Sequence, residues 1–186
     1  MRAAASRHQF TVEEFHHMGA ARILHHSDRV ELVDGQIIQM AAIGSRHAAC
    51  VGRLTRLMLP LAEELIVWVQ NPVRLDRYTE LVPDVALLRP RDDFYAEAHP
   101  SPEDVLLLIE VAESTLDYDR QTKIPAYGRA RVPEVWLVNL PNRRIEVFRD
   151  PSPESGYIES ASLPEGALVQ AADAGGFSAK VGEILG

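Results

Sequence analysis

Apolar positions change their spacing several times along the chain, and each change predicts an element. Thr11-Val12-Glu13-Glu14 has the Thr-x-x-Glu spacing of a capping box, which predicts a short helix from Thr11. Two short apolar-rich segments, residues 29–33 and 36–41, flank Asp34-Gly35 and predict a β-hairpin. From Ser45 the period lengthens. Cys50, Leu54, Leu57, Leu61 and Leu65 recur at three- or four-residue steps, which predicts a helix that Pro60 kinks or ends. Residues 66–75 and 81–88 read as strands, and the Pro- and acid-rich residues 89–104 as an exposed loop.

Residues 105–111 are apolar except for Glu110, the pattern of a central strand covered on both faces. Residues 117–130 have helical character, with Pro125 expected to distort the early turns. Residues 134–140 and 143–148 predict two strands joined through Pro141-Asn142. The pattern then weakens. Residues 157–160 suggest a further strand and 177–185 a packed tail. No internal repeat or linker divides the chain, so the expectation is a single domain over 1–186 with its core at about 29–150. The order is helix, hairpin, helix, three strands, helix, two strands. It predicts an α/β fold with a central mixed β-sheet flanked by helices.

Composition narrows the class. The 186 residues are 46% hydrophobic and 25% charged, an ordinary globular mixture able to bury a sizeable core. No apolar run has the length of a membrane span. Met1–Arg7 carries two arginines with no apolar segment behind them, so no secretory signal is read and a cytoplasmic location is expected. Cys50 is the single cysteine, which excludes an internal disulfide and a cysteine-based zinc site. It reads as a small core residue. Acidic side chains outnumber basic ones 27 to 19, for a net charge of −8. That balance disfavours broad non-specific binding of nucleic acid, yet a carboxylate-rich metal site in a nuclease is compatible with it.

The candidate chemistry lies between Val82 and Lys123. Pro83 cannot donate to a central ladder, so Asp84 should start a strand or follow a bulge. Glu110 ends an apolar run, where a charge is costly unless paired or bound to a cation. On neighbouring strands the two carboxylates would meet at one sheet edge. Such oxygen donors suit Mg²⁺ or Mn²⁺, with the Val111 carbonyl as a third ligand. A helix packed back over the strand would return Lys123 to position or help deprotonate an attacking water. The alternative is that Asp84 and Glu110 form only structural ion pairs with Lys123 or with arginines.

The order Pro83-Asp84, Glu110-Val111 and Lys123 resembles the PD-(D/E)XK phosphodiesterase superfamily. Ala112 stands where the lysine usually falls. The chain more closely resembles the Uma-type family of restriction endonucleases within it. The matching segments are Glu31-Leu32-Val33-Asp34-Gly35, His47, Pro83-Asp84-Val85 and Ile109-Glu110-Val111-Ala112-Glu113-Ser114-Thr115. They continue with Asp119, Lys123, Tyr127 and Val132-Pro133-Glu134-Val135-Trp136-Leu137-Val138, so that the resemblance runs from about Phe10 to Asp150. It implies a restriction-endonuclease-like fold and Mg²⁺-dependent cleavage of DNA by a metal-dependent endonuclease. Asp84 and Glu110 would then be metal ligands, Lys123 the catalytic lysine displaced onto a helix, and Glu31 an additional acidic residue. Cutting both strands of a duplex would call for a homodimer. The chain departs from the family at Arg131, where glycine usually caps the helix in a left-handed conformation. Arg131 would be strained there, so Gly128 is a candidate for an earlier helix end.

Other residues have plainer readings beside functional ones. His47 is a minor site candidate and otherwise a packing or capping residue. His16-His17 and His25-His26 lack the spacing of a shared metal site and read as exposed. Arg46, Arg53 and Arg56 share a helix face that could meet phosphates or only solvent. Glu113, Asp117 and Asp119 favour the start of the following helix, with Asp119 placed to orient Lys123. Trp68 and Trp136 read as core. Two rival functions stay open: a catalytically inactive nuclease-fold binding or scaffold protein, and a phosphodiesterase acting on RNA or nucleotides.

Overall fold

Thr11 starts the first helix as its spacing predicts. In the computed structural model, which describes residues 7–25 and 27–186, the Glu14 amide donates to Thr11 Oγ1 and the Thr11 amide to Glu14 Oε2. The expectations for Met1–Ser6 and for His26 fall on residues outside that description. The capped helix is α1 (Val12–Ala20). The hairpin follows as β1 (Val30–Val33) and β2 (Gln36–Gln39). Asp34 and Gly35 both take positive φ between them, as a two-residue turn matched to strand twist requires. Helix α2 (Ser45–Met58) gives way at Leu59 to a 3₁₀ turn containing Pro60, so the proline ends the α-helix.

The two strands expected over 66–75 and 81–88 are each broken in two. They become β3 (Ile66–Val69) with β4 (Val73–Arg74), and β5 (Glu80–Leu81) with β6 (Val85–Leu88). Gln70 at φ +49° and Pro72 interrupt the first, and Val82-Pro83-Asp84 the second. At each break the chain passes between a six-stranded and a four-stranded sheet. Asp84 therefore sits at a crossing point, directly before β6, consistent with the strand start that its proline suggested.

The remaining elements are β7 (Val105–Ala112), α3 (Leu116–Tyr118), a π-helical turn (Asp119–Lys123) and α4 (Ile124–Arg129). Then come β8 (Glu134–Asn139), β9 (Arg144–Ser152), β10 (Gly156–Pro164), β11 (Leu168–Gln170), β12 (Ser178–Lys180) and α5 (Val181–Leu185). The large sheet has the order β10-β9-β8-β7-β6-β3, parallel only between β7 and β8. The small one is β2-β1-β5-β4, and β11 pairs with β12. Strands β9 and β10 are each longer than expected, paired from Arg144–Pro164 to Ser152–Gly156.

All of β7 is buried, because both its faces are covered. Leu107, Ile109 and Val111 meet a layer built from α2, α5 and the β11–β12 pair. Cys50 lies in that layer, and burial pushes its thiol up to about 12. The expected C-terminal tail packs there too, with Phe177 stacked on Trp136 at 5.7 Å. Leu108 and Ala112 face the opposite layer, made by α4 and the small sheet. The pleat thus turns Glu110 toward α4, on the side of Leu108 and Ala112.

Pro125 distorts the helix as anticipated. It has no N–H to donate, and the turn just before it is π-helical. The helix end corrects the expectation for Gly128, which remains inside α4. Arg131 itself takes φ +65°, with its amide donating to the Gly128 carbonyl and the Val132 amide to the Tyr127 carbonyl. Those two bonds make a Schellman cap with arginine in the glycine position. Gly128 serves another purpose: a Cβ there would lie 2.0 Å from the Gly156 carbonyl oxygen, so α4 rests directly on the start of β10.

Candidate active site

Glu31, Asp84, Glu110 and Lys123 converge although they come from four separate parts of the chain. The register pair Val85–Ile109 brings Asp84 opposite Glu110 at the end of β6 and β7. The hairpin strand β1 places Glu31 above them, and the π turn brings Lys123 down from the helix side. All line a cavity of about 460 Å³, together with His47 and Asp119.

Lys123 holds the group together. Its Nζ lies 2.7 Å from Glu110 Oε1 and 3.5 Å from Glu31 Oε2, and donates to the Val82 carbonyl at 3.3 Å. The Tyr127 hydroxyl donates to Glu110 Oε1 at 2.5 Å, and the Tyr118 hydroxyl to Glu31 Oε1 at 2.8 Å. The Val82 amide donates to Glu31 Oε2 at 3.3 Å. Asp119 accepts from the Thr115 hydroxyl at 2.6 Å. Asp119, Lys123 and Tyr127 recur every fourth residue and share a helix face. Tyr118, just before the π turn, reaches the same group through its hydroxyl.

Asp84 is held from the other side. Its Oδ2 accepts from the Val111 amide at 2.8 Å and shares a 3.0 Å hydrogen bond with His47 Nε2, while Gln70 donates to Oδ1 at 3.2 Å. His47, a minor candidate on sequence, is thus a direct partner of Asp84. Its Nδ1 is buried without a hydrogen-bond partner among the described residues. Val111 reaches Asp84 through its amide.

The electrostatics follow from one buried ammonium shared among several carboxylates. Burial disfavours charge on Lys123, but Glu110, Glu31 and Asp119 outweigh it and hold the ammonium charged. Each carboxylate gains only a share of that cation. Burial therefore pushes Glu110 up to about 8 despite Lys123, with Asp84 and Asp119 adding to the rise. Asp119 is raised as well, mainly by burial. Asp84 behaves differently: burial opposes its ionisation, but His47, Lys123 and the Val111 amide together hold it below its usual value. His47 is raised in turn, chiefly by its hydrogen bond to Asp84. Such a locally acidic cavity suits a hard divalent cation. Asp84 and Glu110 have the right donor atoms. The side-chain contacts of Glu110 with Tyr127 and Lys123 fall on Oε1, and Glu110 lines the cavity.

The arginine row does not act as a unit. Arg53 Nε donates to the Ile184 carbonyl at 2.9 Å and its Nη2 to the Leu185 carbonyl, so it caps α5. Arg46 remains exposed, 4.0 Å from Glu113, and Arg29 lines the cavity. His16 is exposed as expected, and it also contacts the buried Glu80 at 2.7 Å. Sequence reasoning missed Tyr118 as a partner of Glu31. Tyr127 was visible only as part of a family match, although its spacing from Lys123 could have signalled its place.

Comparisons with known proteins bear on the fold and the family of the chain. A solved structure described as "a putative nuclease belonging to DUF820" from Anabaena variabilis ATCC 29413 superposes with a TM-score of 0.71. It is 15% identical, and the alignment covers 95% of this chain and 97% of that one, which shows a shared fold. No curated protein matches the sequence. The model of the Uma2 family, described as "Putative restriction endonuclease", matches residues 12–182, and the chain belongs to that family.

Proposed function

We propose that this chain is a metal-dependent endonuclease that hydrolyses DNA phosphodiester bonds. Asp84, Glu110 and the Val111 carbonyl would hold Mg²⁺ or Mn²⁺. One observation carries the reading: the carboxylates of Glu31, Asp84, Glu110 and Asp119 gather around a single buried ammonium in an accessible cavity. Ionising all of these buried carboxylates together is costly unless a further cation offsets their charge, and the raised pKa values of Glu110 and Asp119 reflect that cost. A structural ion pair needs one carboxylate for one lysine, and this site has more. Family membership supports the nuclease assignment.

A divalent cation at this position would polarise a scissile phosphate and lower the pKa of water. The protein's residues do the rest. Lys123, held charged, donates hydrogen bonds and offsets charge that develops on phosphate oxygens. It does not serve as a base. Both oxygens of Glu31 are engaged, by Tyr118 and by Val82 with Lys123, so Glu31 acts by fixing the ammonium. His47 and the Val111 amide fix Asp84. Arg29 and the exposed Arg46 offer cations to flanking phosphates despite the net charge of −8. The chain acts as one domain, and cleavage of both strands of a duplex takes two copies related by a two-fold axis.

Calorimetric titration with Mg²⁺ tests the site. The wild-type protein should bind, and Asp84→Ala should lose that binding. Absence of Mg²⁺ and Mn²⁺ binding by the wild type would favour the non-catalytic scaffold. Metal-dependent cleavage of RNA or nucleotides without cleavage of DNA would favour the other phosphodiesterase.

A further inference from the structure

We propose a second metal site, for a Zn²⁺-class ion, formed by His16, Glu80 and His99 on the far side of the small sheet. It is separate from the Asp84–Glu110 centre and does not depend on the function proposed for that centre. His16 lies on α1, Glu80 on β5, and His99 in the loop before β7. One ligand atom from each residue lies within 4.8 Å of the other two. Two imidazoles and a carboxylate are a donor set that suits zinc and its neighbours among the transition metals, with a fourth position left for water.

Glu80 supplies the independent sign of a ligand. Its side chain is 3% exposed. One oxygen accepts from His16 at 2.7 Å, while Oε2 is buried with no hydrogen-bond partner among the described residues. A buried, half-satisfied carboxylate facing two exposed imidazoles is costly without a further partner. Around a tetrahedral ion with bonds of about 2.0–2.1 Å, neighbouring donors stand roughly 3.3 Å apart. The 2.7 Å contact of His16 with Glu80 would open by roughly half an ångström or slightly more, and His99, whose ring centroid is 5.8 Å from that of His16, would swing inward.

The surroundings pre-position the three residues. Glu13, one helical turn before His16, contacts the Arg74 guanidinium at 2.5 Å, and Arg74 is the register partner of Glu80. The Arg74 amide donates to the Pro100 carbonyl, which fixes the residue next to His99. An ion would therefore tie α1 and the 89–104 loop to β5. Strand β5 pairs with β1 at Leu32, and the neighbouring Glu31 points to the opposite face, into the candidate active site. The site would brace the strand that presents Glu31.

The test uses the full chain, stripped of metal and titrated with Zn²⁺ alone, with Co²⁺ as a spectroscopic substitute. The wild type should bind one equivalent that is lost, or weakened by at least roughly a hundredfold, in both His16→Ala and His99→Ala. The visible bands of the Co²⁺ complex should disappear with it. Both histidines are exposed, so these variants should keep the wild-type circular dichroism. The Asp84→Ala variant should retain the equivalent, which separates it from the nuclease centre. Zn²⁺ binding that is unaffected by both histidine substitutions, or wild-type binding only at millimolar concentrations, would overturn the proposal.

Discussion

Lys123 Nζ sits 2.7 Å from Glu110 Oε1, and both side chains are almost fully buried. The same ammonium also faces Glu31, so replacing it leaves more than one carboxylate without a counter-charge. Lys123→Met should cost about 3–5 kcal/mol, the scale seen when one partner of a buried pair is removed. A matching Glu110→Gln change in the same chain should recover a large part of that loss. Thermal or urea unfolding of the two single variants and the double variant measures the coupling. Additive losses would contradict a shared interaction.

Metal-free protein should lose stability as pH rises toward 8. The Glu110 carboxyl is pushed up to about 8 by burial from an ordinary value of 4.5. Its protonated form is favoured in the folded state, so its contribution is complete below pH 4.5 and is lost as pH climbs through about 8. Asp84, held low, has the opposite dependence, in the acid range below its ordinary value of 3.8. In a chelator the melting temperature should fall between pH 5 and pH 8, and Mg²⁺ should restore more at pH 8 than at pH 5. An equal or larger Mg²⁺ effect at pH 5 would count against Glu110 as a ligand.

Arg131→Gly should stabilise the protein. Arginine at φ +65° bears a left-handed penalty of about 1–2 kcal/mol, which glycine escapes, although greater freedom in the unfolded chain offsets part of the gain. A net gain of about 1 kcal/mol would raise the melting temperature by roughly 2–4 °C in a chain of this size. A fall in melting temperature would show that the Arg131 side chain contributes more than its strain costs.

Gly128→Ala should do the reverse. Its methyl group would meet the Gly156 carbonyl at 2.0 Å, so α4 must move away from β10. Overpacking of this kind typically costs about 1–3 kcal/mol. Because Lys123 and Tyr127 ride on the same helical segment, Mg²⁺ affinity should weaken too, which calorimetry would detect.

Much of the fold could be read from local pattern. Thr11 and Glu14 announced α1, Asp34-Gly35 announced the hairpin, and the apolar run before Glu110 announced the central strand. The broken strands were harder to see, because β3 with β4, and β5 with β6, each read as a single apolar segment. Only the pairing shows that their halves belong to different sheets. Arg131 was misread for a related reason. Local strain argued against the left-handed cap, but the packing of Gly128 on Gly156 fixes the helix and leaves Arg131 to turn the chain. In the site, Glu110 and Lys123 were legible because a charge at the end of a buried strand needs a partner. Tyr118 was not, since its contact with Glu31 joins residues 87 positions apart in the chain. The pairing of His16 with Glu80 was equally hidden, being a contact between distant parts of the chain.

The most direct test of the central claim is nicking of supercoiled plasmid DNA by the purified chain, with and without Mg²⁺. The wild type should nick only with the metal, and Glu110→Ala and Lys123→Ala should each reduce the rate by about a hundredfold or more, the scale for losing a preorganised electrostatic group. Nicking by either variant at the wild-type rate, or wild-type nicking that persists in a chelator, would contradict the assignment.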